Sequence, residues 1–260
     1  MHQMMAAVRG HRPERPGYYR LTLEAPQITG EAQAGQFVMI RCAPTLEPLL
    51  RRPFSIFATR PENGELEILY RVVGRGTQLL SEVREGSPVD IVGPLGHGYT
   101  LLPEARTIAV VGRGVGVASV FSVAQAARRE GRRVFAFVSA RTRDLLLAVE
   151  DLKRLGCQVE ISTDDGDAGY QGLVTDLLAS KAKSEGIGQV FVCGSRRLIR
   201  AAAEIAREAG IRAQVSLEQQ MACGVAACMG CARLVGTPGN KVYKKVCKDG
   251  PVFWIEEVLD

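Results

Sequence analysis

Along the first hundred residues, apolar and polar positions alternate in short runs that are separated by Pro, Gly and Asn. Alternation with a period of two is typical of a strand that buries one face, and closely spaced turn residues favour antiparallel connections. One run with helical spacing, TQLLSEV, interrupts the series. The pattern predicts a small antiparallel β-barrel over residues 1–100. Its strands are expected in YYRLTLEA, QFVMIRC, PFSIFA, ELEILYRVV and SPVDIVG.

After Thr100 the pattern changes to apolar runs of strand length that alternate with longer stretches of helical periodicity. The strand-length runs are TIAVVG, RVFAFVS, QVEIST, QVFVCG and RAQVSL. The helical stretches are ASVFSVAQAARREG, TRDLLLAVEDLKRLG, LVTDLLASKAKSEG and RRLIRAAAEIAREAG, and each ends on a glycine, a common helix stop. Regular strand–helix alternation predicts a doubly wound α/β domain with a parallel sheet over residues 101–216.

The tail, residues 217–260, breaks this pattern again and concentrates cysteines. Four of the seven cysteines of the chain lie there: Cys223, Cys228, Cys231 and Cys247. The first three have C-x4-C-x2-C spacing, which is the spacing of plant-type [2Fe–2S] ligation. Intervening glycines let backbone amides turn toward the sulfurs of a negative cluster. The tail is too short for a core of its own, so we expect a small [2Fe–2S] module that depends on the metal centre and on docking.

A four-cysteine zinc site is the alternative interpretation of this cluster. Such a site prefers two pairs with short spacers. Only Cys228 and Cys231 form such a pair, so the spacing favours iron–sulfur and leaves zinc open. The other cysteines, Cys42, Cys157 and Cys193, are expected to be small buried residues.

Composition and charge narrow the class of protein. The net charge of +5 is modest and spread along the 260 residues, unlike the footprint of a nucleic-acid binder. No apolar run is long enough for a membrane span or a signal peptide, and seven cysteines is an odd number for a disulfide framework. We therefore expect a cytoplasmic protein that binds neither nucleic acid nor membrane.

Two arginine-containing segments of the first domain are candidates for binding a diphosphate. Arg52-Pro53-Phe54-Ser55 places a cation, a rigid turn and a hydroxyl at the mouth of a predicted strand. Tyr70-Arg71 ends another strand, and Gly74-Arg75-Gly76-Thr77 then opens a helix. Each segment alone is equally typical of a surface turn, but together they indicate a flavin nucleotide.

A glycine-rich turn marks the start of the second domain. Gly112, Gly114 and Gly116 follow the strand TIAVV and open a helix, which is the context of a dinucleotide-binding turn. Asp164-Asp165-Gly166 and Cys193-Gly194 end two further strands, which are expected at the same sheet edge. Ligands of open α/β sheets bind outside that edge. Ordinary turn chemistry explains each segment equally well.

In this order, the motifs resemble the electron-transfer subunits of class 1B dihydroorotate dehydrogenases, within the ferredoxin–NAD(P) reductase superfamily. The resemblance spans nearly the whole chain, and its two C-terminal segments are the most distinctive. The matching segments are LLRRPFSI, LYRVVGRGT, VGPLGHGY, the turn at Gly112, TDDGDAGYQGLVTD, VFVCG, SLEQQMACGVAACMGC and YKKVCKDGPVF.

The resemblance implies FAD in the barrel, NAD(H) in the second domain and the [2Fe–2S] cluster on the four tail cysteines. The implied FAD contacts are Arg52, Pro53, Phe54, Ser55, Leu69, Tyr70, Arg71, Gly76 and Thr77. It further implies an FMN-containing catalytic subunit, two copies of each chain in a heterotetramer, and a role in pyrimidine biosynthesis. Dihydroorotate is oxidised in that partner, and electrons pass from FMN through the cluster and FAD to NAD. This chain is then the redox subunit of an NAD-linked oxidoreductase, without a catalytic residue for the substrate itself.

Three positions depart from the pattern of similar proteins, and all lie in the second domain. Arg113 stands where Gly is usual, Ser119 where Pro is usual, and Ser195 follows Cys-Gly where Pro is usual. The Arg113 guanidinium either lies across the phosphate site or pairs with the pyrophosphate. The three changes together favour a weakened site, in which Arg113→Gly speeds FAD reduction at limiting NADH. Two rival functions follow: a subunit of a different flavoprotein dehydrogenase with an altered or unused nicotinamide site, and a zinc-stabilised assembly subunit.

Overall fold

The computed structural model describes residues 1–237 and 239–258, which form two seven-stranded sheets and a two-stranded hairpin. The strands are β1 (His2–Arg15), β2 (Tyr18–Glu24), β3 (Phe37–Ile40), β4 (Arg52–Ser55), β5 (Ala58–Arg60), β6 (Glu65–Arg71), β7 (Pro88–Leu95), β8 (Thr107–Arg113), β9 (Arg133–Ala140), β10 (Gln158–Thr163), β11 (Tyr170–Gln171), β12 (Gln189–Cys193), β13 (Arg212–Ser216), β14 (Ala232–Thr237), β15 (Asn240–Lys245) and β16 (Val252–Trp254). The helices are α1 (Pro26–Glu31), α2 (Arg75–Ser81), α3 (Val117–Arg129), α4 (Val149–Arg154), α5 (Val174–Ala182), α6 (Arg196–Ala209) and α7 (Val246–Asp249). None of the helices in these ranges is long and apolar enough to cross a membrane.

The first sheet confirms the predicted antiparallel barrel in the form of a curled sheet. Its strand order is β4-β3-β7-β1-β2-β6-β5, and every neighbouring pair is antiparallel. Edge strand β4 packs against β6, where the rings of Phe54 and Tyr70 meet edge to face at 5.5 Å. Alternate residues such as Leu21, Leu23 and Ile68 point inward and are fully buried, as the period-two pattern requires.

Strand β1 was not predicted from the sequence. Its segment HQMMAAVRGHRPER has no continuous apolar alternation, and only Ala6 and Val8 are buried. It nevertheless lies at the centre of the sheet, between β7 and β2. Its backbone pairing with these two distant strands therefore stabilises it more than its own side-chain pattern does.

The second sheet confirms the doubly wound prediction. Its order is β11-β10-β9-β8-β12-β13-β16, with parallel pairing from β11 to β13. Helices α3 and α4 pack on one face, and α5 and α6 pack on the other. The chain leaves β8 in one direction toward β10 and later adds β12 and β13 on the other side. The topological switch point therefore lies between β8 and β12.

One predicted helix is wrong over its first half. TRDLLLAVEDLKRLG was expected to be a single helix, but α4 begins only at Val149. A short 3₁₀ turn over Arg143–Leu145 precedes it, and Ala148 adopts a left-handed φ of 57°. Leu146 and Leu147 are buried against the sheet in extended or turn conformation. Their burial outweighs the helical periodicity, which tertiary contacts often override.

The tail packs on the rest of the chain, as its small size indicated. Strand β16 adds an antiparallel edge to the second sheet by pairing with β13. Val246 and Cys247 of the tail belong to one apolar cluster with Phe37 and Met39 of β3. The tail therefore contacts both sheets and depends on their cores for its own burial.

A buried arginine of β2 links the first sheet to helix α4, which packs on the second sheet. The Arg20 guanidinium donates to Asp151 at 2.5 Å and to Glu14 at 2.9 Å, and it also approaches Glu67. Burial opposes its charge, but the hydrogen bonds and charges of these carboxylates raise the pKa of Arg20 overall. Asp151 belongs to α4, so this network holds the two halves in one relative position.

Candidate functional site

A cavity of about 730 Å³ opens where the two sheets and the tail meet. Its volume lies within the range of about 300–1,000 Å³ that is typical of ligand and cofactor pockets. Strands β4 and β6 and the start of α2 form one wall. The start of α3, the end of β12 and the segment that follows β13 form the other.

All nine residues that the resemblance assigns to FAD line this cavity. They come from three separate segments, β4, β6 and the start of α2. The curl of the first sheet brings β4 and β6 into contact, although they are not neighbours in the strand order. The residues are Arg52, Pro53, Phe54, Ser55, Leu69, Tyr70, Arg71, Gly76 and Thr77. The fold thus places the proposed FAD contacts around one cavity, although they lie up to 25 residues apart in the sequence (52 to 77).

Arg52 supplies a cation at the start of α2. Its Nη1 donates to the Leu50 carbonyl at 2.6 Å, which fixes the direction of the side chain. A Cβ atom on Gly76 would lie 3.3 Å from the Arg52 Nε. The guanidinium therefore packs directly on the turn, where only glycine leaves it full room, and faces a cavity suited to an anionic diphosphate.

Thr77 shapes this turn from within. Its hydroxyl accepts from the backbone amides of Val73 (2.9 Å) and Gly74 (3.2 Å) and approaches the Gly74 carbonyl at 3.0 Å. The side chain is buried. Because the Thr77 hydroxyl forms its hydrogen bonds within the turn, its role is to fix the conformation of the turn, which forms part of the cavity wall.

Tyr70 is held in place by His11 of β1. The Nδ1 of His11 lies 2.7 Å from the Val83 carbonyl and therefore donates to it. In this tautomer, Nε2 accepts from the Tyr70 hydroxyl at 3.0 Å. Burial raises the pKa of Tyr70, so its ring forms a neutral, fixed part of the wall.

The segment SLEQQM was noted only as part of the family resemblance, and none of its residues was assigned to a site, although it lines the cavity from Ser216 to Met221. Glu218 of this segment faces Cys193, which ends β12. Burial first, and the negative charge of Glu218 second, raise the pKa of the Cys193 thiol to about 12. Part of the Glu218 residue is exposed to solvent, but protein atoms surround its carboxyl group. The resulting desolvation raises the pKa of that group. The sequence signal that could have identified this segment is its position at the carboxyl end of a predicted parallel strand, where ligands of such sheets bind.

Two of the three departures from the family pattern have local structural partners. The Ser119 hydroxyl hydrogen-bonds the Tyr99 hydroxyl at 3.1 Å. Ser195 is the N-cap of α6 and accepts from the amide of Leu198 at 3.3 Å. These hydroxyl groups are therefore engaged within the protein.

The glycine turn after β8 packs tightly against β12. A Cβ atom on Gly116 would lie 2.5 Å from the Cys193 carbonyl oxygen, and one on Gly112 would lie 2.7 Å from the Val117 Cα. Gly114 has a left-handed φ of 54°. Gly116 and Cys193 line the cavity, whereas Gly112, Gly114 and Gly194 do not. The predicted nucleotide turn is thus continuous with the proposed flavin cavity.

Arg113, the third departure, lies outside this cavity and forms an ion pair. Its guanidinium binds the Asp164 carboxylate with two contacts, Nη2–Oδ2 at 2.7 Å and Nη1–Oδ1 at 3.1 Å. Arg113 ends β8 and Asp164 follows β10, so the side chain reaches across the end of the intervening strand β9. The guanidinium therefore does not obstruct the cavity.

The four tail cysteines form two pairs. The Cys223 sulfur accepts from the backbone amide of Cys228, and the Cys231 sulfur accepts from that of Cys247, both at 3.4 Å. The thiols of each pair also interact, and Cys223 lies close enough to influence Cys247. The loop that carries the first pair packs on β3, since a Cβ atom on Gly224 would lie 2.4 Å from the Met39 side chain.

Amide donors and burial act in opposite directions on these thiols. Desolvation opposes ionisation of Cys223, but amides led by that of Cys228 lower its pKa to about 7. Burial and the adjacent Cys231 thiol raise the pKa of Cys247 to about 11. Several amides directed at sulfur are the surroundings that an anionic cluster requires.

The pairing of the cysteines bears on the two metal interpretations. A single tetrahedral zinc ion needs four ligands around one point. A [2Fe–2S] cluster takes two protein ligands on each of its two irons. The arrangement as two adjacent pairs fits the cluster.

The fold and this site define a ferredoxin reductase-like flavoprotein with an attached iron–sulfur module. Residues 17–99 match the oxidoreductase FAD-binding domain, and residues 218–259 match the iron–sulfur cluster binding domain of dihydroorotate dehydrogenase B. Both matches confirm the predicted FAD and iron–sulfur cofactors.

Relatives identify the family. The chain is 36% identical to a dihydroorotate dehydrogenase B (NAD(+)) electron transfer subunit from Desulforamulus reducens, over 92% of this chain and 91% of that protein. Subunits of the same name match at 37% identity in Bacillus caldolyticus (93% and 92% covered) and at 36% in Caldanaerobacter subterraneus subsp. tengcongensis (99% and 98%). The chain belongs to the family of dihydroorotate dehydrogenase B electron transfer subunits.

Solved structures agree with this fold. An NADH-dependent reduced ferredoxin-NADP oxidoreductase, studied for flavin-based electron bifurcation, superimposes with a TM-score of 0.86 at 29% identity. The alignment covers 98% of this chain and 89% of that one. The ferredoxin reductase of carbazole 1,9a-dioxygenase shares the fold with a TM-score of 0.67 at 19% identity, over 81% of this chain and 66% of that one.

Proposed function

We propose that this chain carries electrons from an FMN-containing dihydroorotate dehydrogenase catalytic subunit to NAD, through a [2Fe–2S] cluster and FAD. The observation that carries this proposal is the position of β3. Phe37 lines the cavity, and Met39, two residues along the same strand, contacts the cysteine loop at Gly224. Two residues of a strand span only about 7 Å. The proposed flavin site and the proposed cluster site therefore contact the same strand at positions only two residues apart.

The overall reaction balances without a further reactant. Dihydroorotate loses two electrons and two protons as it becomes orotate. NAD⁺ takes up both electrons and one proton as it becomes NADH, and the second proton goes to solvent. When bound, the cluster supplies one-electron transfer and FAD supplies the conversion between one-electron and two-electron steps.

The residues of this chain bind and orient these groups. Arg52 would pair with the FAD diphosphate, and the turn held by Thr77 would bring backbone amides beside it. Gly116 and Cys193 line the same cavity and would lie beside the nicotinamide. Cys223, Cys228, Cys231 and Cys247 would hold the cluster.

These roles correspond to three units along the chain. We assign residues 1–100 to FAD, residues 101–216 to NAD(H) and residues 217–260 to the cluster. The family names of the relatives support NAD as the acceptor. Arg113 is the principal difference at the nucleotide edge, so an altered nicotinamide site, with a different flavoprotein partner, is the rival proposal.

The partner docks, in this proposal, over the cysteine loop. Val225 and Met229 flank the ligands and are exposed, and Tyr243 of the adjacent hairpin is 72% exposed. Exposed apolar side chains around a redox centre suit a protein interface. We propose a heterotetramer with two copies of each subunit, located in the cytoplasm, where cluster-ligating thiols remain reduced, and acting in pyrimidine biosynthesis.

The test is an anaerobic electron-transfer assay with the full chain, purified alone and with its co-expressed catalytic subunit. We expect flavin and iron–sulfur absorption in both samples. NADH should bleach the FAD band of the chain alone, and dihydroorotate should bleach it only when the catalytic subunit is present. A colourless chain with one zinc ion would contradict the proposal, and a complex whose FAD is reduced neither by dihydroorotate nor by NADH would favour the rival.

A further inference from the structure

Arg113 occupies a position from which it can serve a bound dinucleotide. It ends β8 at the switch point, and its Cβ lies 3.7 Å from the position of a Cβ atom on Gly194, which follows β12. The side chain thus starts in the crevice between β8 and β12, where an open α/β sheet binds its ligand. Only the guanidinium is drawn away from this crevice, toward Asp164.

The ion pair that draws it away is accessible and weak. The side chain of Arg113 is 36% exposed and that of Asp164 is 46% exposed. Exposed ion pairs contribute little because water screens them and long side chains lose freedom. An anion with more charge and several oxygens can therefore compete with the carboxylate for the guanidinium.

Carboxylate and phosphate present similar paired oxygens to an arginine fork. Asp164 thus resembles a phosphate group in the way it holds Arg113. A pyrophosphate carries at least two negative charges where the carboxylate carries one, and it enters the crevice from which the arginine side chain starts.

We propose that Arg113 and Asp164 form a latch that a dinucleotide opens, with its pyrophosphate replacing Asp164 as the partner of Arg113. This inference rests on the proposed NAD site. It makes Arg113 a ligand contact and Asp164 an internal competitor, although both side chains lie outside the cavity in the closed pair. Dinucleotide affinity then depends on the balance between the two anions.

Calorimetric titration of the FAD-loaded full chain with ADP, which has the pyrophosphate but no nicotinamide, tests the latch. Asp164→Asn removes the competitor and should tighten ADP binding about two- to fivefold, the range expected for an exposed ion pair. Arg113→Ala alone is ambiguous, because it also leaves the Asp164 charge unpaired beside the ligand. The decisive comparison therefore adds Arg113→Ala to the Asp164→Asn variant.

On the Asp164→Asn background, loss of Arg113 should weaken ADP binding about tenfold or more, as expected for a charge-assisted contact. Equal ADP affinity in the single and double variants overturns the latch while leaving the nucleotide site in place. Failure of every variant to bind ADP overturns both the latch and the proposed NAD site. Continued FAD reduction by NADH, with unchanged dependence on its concentration in the double variant, also counts against the latch.

A matched ion pair on the opposite edge of the same sheet provides the control. Arg133 begins β9 and binds Glu185 at 2.9 Å, and its side chain is also partly exposed. Arg133→Ala and Glu185→Gln should leave the ADP affinity within about twofold of the wild-type value, because screened charges at that distance act weakly. An effect equal to that at Arg113 would indicate general electrostatics and overturn the specific contact.

Discussion

The proposed flavin cavity and the cysteine loop contact neighbouring positions of strand β3, but they are held in different ways. The cavity walls include strands with continuous backbone pairing. Thr77 and Arg52 hydrogen-bond the backbone, and His11 hydrogen-bonds the Tyr70 hydroxyl. The cysteine loop has a few amide–sulfur contacts at 3.4 Å, and its buried side chains pack against residues of β3. The fold alone therefore fixes the positions of the residues around the proposed flavin site, whereas binding of the metal centre must fix the conformation of the cysteine loop.

The largest expected effect follows from removing one cluster ligand. Cys228→Ser should abolish the [2Fe–2S] signal and leave bound FAD near the wild-type level, because the loop contributes no strand to the first sheet. Electron paramagnetic resonance after reduction, with flavin absorbance on the same sample, measures both quantities. Cys157→Ser, at a buried cysteine away from the loop, is the control. A full cluster signal in Cys228→Ser would refute the ligand assignment, and joint loss of FAD would refute the independence of the two sites.

A smaller effect is expected from Arg52→Ala. The loss of a charge-assisted contact to diphosphate costs about 1.5–3 kcal/mol, or roughly ten- to hundredfold in FAD affinity. The cluster signal should remain, which makes this variant the converse of Cys228→Ser.

Arg51→Ala is the matched control for this prediction. The neighbouring Arg51 pairs with Asp90 and does not line the cavity. Equilibrium dialysis followed by flavin quantification gives the affinity of each protein. If Arg51→Ala lost as much FAD as Arg52→Ala, the specific role of Arg52 would have to be abandoned.

The smallest effect tests the rigidity of the cavity wall. Gly116→Ala places a methyl group 2.5 Å from the Cys193 carbonyl oxygen, so α3 or β12 must shift. Overpacking of this kind costs about 1–3 kcal/mol, which lowers the melting temperature by roughly 2–4 °C for each kcal/mol in a chain of this size. Gly30→Ala, where a Cβ atom meets nothing within 4 Å, should not lower it. An unchanged melting temperature in Gly116→Ala would mean that the packing between α3 and β12 adjusts to the added methyl group without loss of stability.

Several features could be predicted from the sequence because their signals are local. Alternation along β2 and β6 follows from burial of one strand face, and the glycine after α6 adopts the left-handed φ of 69° that stops a helix. The cysteine spacing matches the loop because three ligands lie within nine residues. The arginine and glycine turns of the proposed flavin site could be selected as motifs because each is contiguous, and the structure places them in one cavity.

Only the tertiary structure decided the features that depend on distant partners. Strand β1 is central because β7 and β2 pair with its backbone, although its own side-chain pattern is weak. The segment that follows β13 became a cavity wall only when β12 lay beside it. Arg113 has the same local sequence whether it blocks a phosphate site or serves one. Its pairing with Asp164, 51 residues away, arises from the order of strands in the sheet, because parallel strands bring their carboxyl ends to one edge.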